Sequence, residues 1–218
     1  MSFFQNTCKP EGLGGKVMVA MMNFGHTSMA EWGLKHLSIP ADADVLDVGC
    51  GGGANLKRLI AKCPLSTVTG VDYSTVSVGK SRKVNAKAIQ AGRCEVQQGS
   101  VAQLPFTDAS FDLVTAFETI YFWPGLKNCF REVYRVTKPG GTFFICNESN
   151  GEKSGDDKWT NIIDGMYSWS DRIASVTCKG YMTGYRPLDK GYGILANTIF
   201  RFGDKSKMCQ VLEIEFKR

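Results

Sequence analysis

Four glycines fall within five positions, Gly49, Gly51, Gly52 and Gly53, directly after the apolar run Val45–Val48. Inside a regular element a glycine costs about 0.5–1 kcal/mol relative to alanine, so the cluster marks a tight turn or a close approach to a ligand. The glycines alone do not choose the ligand, because Gly49-x-Gly51-x-x-Ala54 also fits a dinucleotide fingerprint. Two acids discriminate. Asp47 stands two residues before Gly49, a poor neighbour for a pyrophosphate and a good one for an ammonium group. Asp72 closes the next β-branched run, where an acid can accept both hydroxyls of a ribose.

A nucleoside that carries an amino acid satisfies both acids, and S-adenosylmethionine has that chemistry. Displacement at its sulfonium needs mainly alignment of donor and acceptor, and a general base only where the acceptor must lose a proton. The segment 117-FETIYFWP-124 holds the candidates for that work. Glu118 can orient an acceptor amine, touch the cofactor or act as base; as a bland alternative it caps the following helix. Tyr121, Phe122 and Trp123 can form an aromatic wall, although Phe122 reads better as a hydrophobic staple. His26 is a candidate near the transferred methyl, and His36 reads as a surface or capping residue. Trp159, Tyr167 and Trp169 can line the pocket, but such isolated aromatics are commonly core.

The elements that position these residues follow from periodicity. Residues 16–37 show helical spacing, giving one or two leading helices before Pro40. Strands are expected at 45–48, 67–72, 94–99, 110–117 and 142–147. Helices fall between them, one starting at the glycine turn, one capped by Ser74 and running to about Ala91, and one stopped by 138-KPGG-141. Strands alternating with helices imply a doubly wound α/β fold with a parallel sheet. Near the C-terminus, residues 197–202 and the alternating run 212–216 predict a closing antiparallel hairpin.

Length and composition bound the remaining choices. The 218 residues suit one large domain, with 43% hydrophobic and 22% charged residues. A net charge of +5 is mild and explained by solvated lysines. The eight cysteines show neither CxxC nor Cys/His metal spacing, so no metal is expected and a reduced, cytoplasmic protein is. The apolar run 17–22 is too short to span a bilayer, so membrane insertion is not expected. No basic stripe with interleaved aromatics points to nucleic acid, and the oligomeric state is not legible.

With these motifs assembled, the chain resembles the class I S-adenosylmethionine-dependent methyltransferases, of the small-molecule type that includes the quinone-biosynthesis methyltransferases. The resemblance covers residues 26–150 and rests on 45-VLDVGCGGG-53, 70-GVDYS-74, 99-GSVAQLPFTDASFDLV-114 and 130-FREVYRVTKPGGTFFI-145, in the family's order. It implies a seven-stranded Rossmann-like sheet with a C-terminal antiparallel hairpin. It also implies a helical leader or lid over residues 1–40 and a methyltransferase domain over 41–218, with the cofactor core at 41–150. The resemblance further places Gly49, Gly51 and the Cys50 backbone along the methionine moiety, with Asp47 near its ammonium. Asp72 would hold the ribose, Tyr73 would pack beside the adenine, and Ser100 and Val101 would meet the adenine edge. Ser100 replaces the family's common aspartate, so that bond would be neutral and about half as strong. Residues 151–218 depart from the family pattern.

The resulting expectation is an enzyme that methylates a small-molecule acceptor and releases S-adenosylhomocysteine. Two alternatives stay open: a methyltransferase-like protein that binds the cofactor without transfer, and an RNA or protein methyltransferase. A nicotinamide oxidoreductase is disfavoured by the position of Asp47.

Overall fold

The computed structural model describes residues 6–35, 37–147 and 195–201. Two helices lead, α1 (Gly12–Gly25) and α2 (Thr27–Lys35). Alternation then begins with β1 (Val45–Val48), α3 (Ala54–Lys62), β2 (Val68–Asp72), α4 (Thr75–Val84), α5 (Ala86–Gln90) and β3 (Cys94–Gln98). It continues through β4 (Phe111–Phe117), a 3-10 turn at Ile120–Phe122, α6 (Leu126–Val136) and β5 (Thr137–Asn147). A last described strand, β6, covers Leu195–Arg201.

The sheet order is β3-β2-β1-β4-β5-β6. The first five strands run parallel, and β6 lies antiparallel beside β5, with Phe143 opposite Phe200. This is the α/β, Rossmann-like parallel sheet that the alternation requires. The expected hairpin partner at 212–216, and with it the count of seven strands, lies outside the described residues, as do His36, Trp159, Tyr167 and Trp169. Every residue of β1 and β2 is buried, as expected for central strands covered on both faces. One face packs Leu46, Val48 and Val114 against α6 through Phe130 and Val133. The other packs Val45, Leu113 and Phe144 against α2 and α3 through Leu34, Leu56 and Leu59.

Two elements depart from the sequence reading. The helix expected to run from Ser74 to about Ala91 is broken at Asn85 into α4 and α5. The buried Asn85 amide donates to the carbonyls of Gly53 and Ser81, 3.0 Å each, so a tertiary bond to the glycine turn competes with helix continuation. Ser74 does cap α4, accepting from Ser77 N at 3.3 Å. The fifth strand, expected at 142–147, starts at Thr137 and takes in the Lys-Pro-Gly-Gly run. Thr137 pairs with Phe111, and the Lys138 ammonium bridges Asp44 and Asp112 at 2.8 and 2.9 Å, pinning the strand start to the base of β4. These two carboxylates raise the Lys138 pKa.

Among the described residues, no helix is long and apolar enough to cross a membrane. No cluster of three or more metal-ligating side chains occurs among them either.

Candidate functional site

The C-terminal ends of β1, β2 and β4 open into a cavity of about 340 Å³, within the range of small-molecule sites. Its floor is the glycine turn. Gly49 N and Cys50 N both donate to the Val71 carbonyl, at 2.8 and 3.1 Å, which ties the turn to β2. Gly49 has φ +73°, and a Cβ there would stand 2.2 Å from Thr119 Oγ1. Gly51 has φ +51° and faces open space, so the cavity reaches bare backbone at that point. The chain then enters α3, whose first-turn amides favour an anionic group.

Asp72 ends β2 on the cavity wall. Its Oδ2 accepts from Gly51 N at 2.9 Å and its Oδ1 from Ser74 N at 2.8 Å. Burial pushes its pKa up, against the pull of those two amides. Asp47 lies behind the turn, only 2% exposed and not on the cavity wall. Its Oδ1 accepts from Thr115 Oγ1 at 2.7 Å. Burial raises its pKa to about 7, the Thr115 bond opposes the rise, and the charge of Asp72 adds to it. Two carboxylates whose charged form burial disfavours, Asp47 further by the charge of Asp72, fit a cationic ligand, which would offset both. The same surroundings hold the buried Cys50 thiol well above its ordinary pKa, so it stays neutral.

Tyr73 and Ser74 carry a second arrangement, which the sequence did not suggest. The Tyr73 hydroxyl donates to the Cys8 carbonyl, and Ser74 Oγ donates to the Pro10 carbonyl at 2.6 Å. Thr7, Cys8 and Pro10 thereby line the cavity as a strap. From α1, Met22, Asn23 and His26 also reach it, and Asn23 Nδ2 donates to the Gly52 carbonyl at 3.1 Å. The candidate His26 is thus on the wall, at the C-cap of α1.

Ser100 and Val101 line the cavity just after β3. Ser100 Oγ accepts from Ala102 N at 3.2 Å. The loop that follows is clamped from α6: Glu132 accepts from Leu104 N, and Arg135 donates to the carbonyls of Leu104 and Phe106. The guanidinium beside Glu132 holds that carboxyl below the usual range.

After β4, Phe117, Glu118, Thr119, Phe122 and Trp123 line the cavity. Glu118 has φ +55°, a left-handed conformation that costs a non-glycine residue about 1–2 kcal/mol, and its N–H donates to the Cys146 carbonyl at 2.9 Å. Strain of this kind gathers at functional positions. Tyr121 is not on the wall. It is 4% exposed and packed in the core, because the 3-10 turn sends Ile120 and Tyr121 inward and Phe122 toward the cavity. The aromatic wall is therefore Phe122 with the edge of Trp123, whose Nε1 donates to Thr119 Oγ1 at 3.1 Å.

The structure therefore gathers Gly49, Cys50, Gly51, Asp72, Tyr73, Ser100, Val101, Glu118 and His26 around one cavity, and leaves Asp47 and Tyr121 behind it. It adds Thr119, Asn23, Asn55, Arg58 and the strap. Asn55 and Arg58 had a signal, lying three residues apart just inside the helix that follows the glycines. The strap had none.

Comparison with known proteins agrees with this geometry. Residues 46–145 match the family described as "Methyltransferase domain". Cycloartenol-C-24-methyltransferase 1 of Oryza sativa subsp. japonica is 36% identical over 109 residues, which cover 50% of this chain and 31% of that protein. The rice 24-methylenesterol C-methyltransferase 2 is 41% identical over 99 residues, covering 45% and 27% respectively. The chain thus spans under a third of the length of these curated relatives. A solved structure of a putative S-adenosyl-L-methionine-dependent methyltransferase from Methanococcus maripaludis aligns with a TM-score of 0.65 at 21% identity, covering 94% of this chain and 95% of that one, a likeness of fold. The segment running from the first strand through the fifth, glycine turn and acidic strand end included, is therefore similar in sequence to the methyltransferase-domain family.

Proposed function

We propose that this chain transfers a methyl group from S-adenosylmethionine to a small, largely apolar acceptor. The observation that carries the reading is the single cavity in which the glycine turn and Asp72 meet an apolar wall of Met22, Phe117, Phe122 and Trp123. The cofactor supplies an electrophilic methyl on a positively charged sulfur. The chain's residues bind and orient: bare backbone at Gly49 and Gly51 admits the amino-acid end, and Asp72 offers the acceptor oxygens a ribose needs. The strap and α1 cover the site and keep water from the reacting atoms. Glu118 and His26 are the groups placed to orient the acceptor or take its proton, and the apolar wall supports an acceptor of the hydrocarbon-rich kind named in the two rice relatives.

Incubation with methyl-labelled S-adenosylmethionine and a panel of apolar acceptors tests the reading. Label in an extracted small molecule, with matching S-adenosylhomocysteine, is the expected result. A folded protein that binds the cofactor yet labels no acceptor on the panel would favour the non-catalytic alternative.

A further inference from the structure

Among the described residues that line the cavity, Arg58 is the one permanent cation, while Asp72 and Glu118 supply the carboxylates. Arg58 sits one turn inside α3, the helix that leaves the glycine turn, and it shares a face with Asn55 at i, i+3. Its Nη1 donates to Asn55 Oδ1 at 3.1 Å, which holds the guanidinium over the first turn of the helix. Its Nη2 stands 3.6 Å from Glu31 Oε1. The Arg58 side chain is 21% exposed and that of Glu31 is 58% exposed, so this ion pair is solvent-screened and does not saturate the guanidinium fork. A cation thus stands on the helix side of the glycine turn, and two disfavoured carboxylates, Asp47 and Asp72, stand on its strand side.

An amino-acid zwitterion needs this polarity. From it we infer that Arg58, oriented by Asn55 and backed by the first-turn amides of α3, binds the carboxylate of the methionine moiety and so sets which way the amino-acid end lies across the turn. The inference rests on the proposed cofactor and names a residue for the end of it that the glycines leave unspecified. An arginine fork matches a carboxylate in two parallel bonds, which a lysine cannot reproduce. The site then distinguishes S-adenosylmethionine from analogues that keep the nucleoside, the sulfonium and the ammonium but lack the carboxylate.

The test is calorimetric titration of the full chain and of Arg58→Gln and Arg58→Lys with S-adenosylmethionine and with decarboxylated S-adenosylmethionine. For Arg58→Gln, affinity for S-adenosylmethionine is expected to fall about ten- to hundredfold, while affinity for the decarboxylated analogue stays within about twofold. Arg58→Lys should recover part of the loss. Unchanged affinity for the decarboxylated analogue also shows that the variant has kept its nucleoside site. Equal weakening toward both ligands would overturn the assignment and leave Arg58 a structural residue. A wild-type protein that binds the two ligands equally would overturn it as well. If the wild-type protein binds neither ligand, the cofactor reading itself fails and takes this inference with it.

Discussion

Replacing Asp47 with asparagine separates the electrostatic burden of the site from its shape. Asp47 is fully enclosed beneath the glycine turn and accepts one short bond, from Thr115 Oγ1. In the unfolded chain its carboxyl ionises near its ordinary value of 3.8, whereas in the fold burial and the nearby Asp72 hold it to about 7. Between those two values the native state keeps a proton that the unfolded state has lost. Its contribution to stability therefore declines as pH rises through this window, and the full penalty is present above pH 7. At about 1.4 kcal/mol per pH unit the penalty is at most about 4 kcal/mol. Asparagine keeps an oxygen for the Thr115 hydroxyl and has no charge to lose. Its amide N–H groups add a constant cost of about 1–3 kcal/mol if they stay unpaired, but that cost does not vary with pH. Urea unfolding of both proteins, followed by tryptophan fluorescence from pH 4 to 8, reads the difference directly. The stability of Asp47→Asn relative to wild type should rise by about 2–4 kcal/mol across that range. A difference that stays flat would refute the claim that Asp47 is a desolvated carboxylate without a compensating cation.

Asp72→Ala strips partners from Gly51 N and Ser74 N as well as from a bound ribose, so it should lose about 1–3 kcal/mol of stability and about ten- to hundredfold in cofactor affinity. Unchanged affinity in a folded variant would move the ribose elsewhere. Glu118→Gly should be at least as stable as wild type by thermal unfolding, because glycine adopts φ +55° without strain, whereas Glu118→Gln isolates the carboxylate. If Glu118 handles the acceptor, Glu118→Gln lowers kcat and leaves cofactor affinity alone; equal turnover would make it structural. Tyr73→Phe removes the hydroxyl that holds Cys8, and S-adenosylhomocysteine should then dissociate about two- to tenfold faster in stopped-flow measurements. No change would show that the strap is held by other contacts.

The parallel sheet was legible because its strands are buried on both faces, so Val45–Val48 and Phe111–Phe117 read as apolar runs with little alternation. The glycine turn and Asp72 were legible because backbone conformation and strand-end position leave a mark in spacing. What escaped depends on partners far away in the chain. Asn85 breaks its helix for the sake of the Gly53 carbonyl, and nothing local announces that bond. The strap at Thr7, Cys8 and Pro10 exists through Tyr73 and Ser74, more than sixty residues on. Pro139 and Gly140 read as a stop, but Lys138 and its two aspartates hold them at the start of a strand. The choice between Tyr121 and Phe122 for the wall turned on the phase of a single 3-10 turn, which apolar periodicity does not encode.

The most direct measurement is calorimetric titration of the purified chain with S-adenosylhomocysteine, with NADH as control. A site built from a glycine turn, an acidic strand end and buried carboxylates predicts micromolar binding of the first and none of the second. A folded sample that ignores S-adenosylhomocysteine, or that prefers NADH, would contradict the account at its centre.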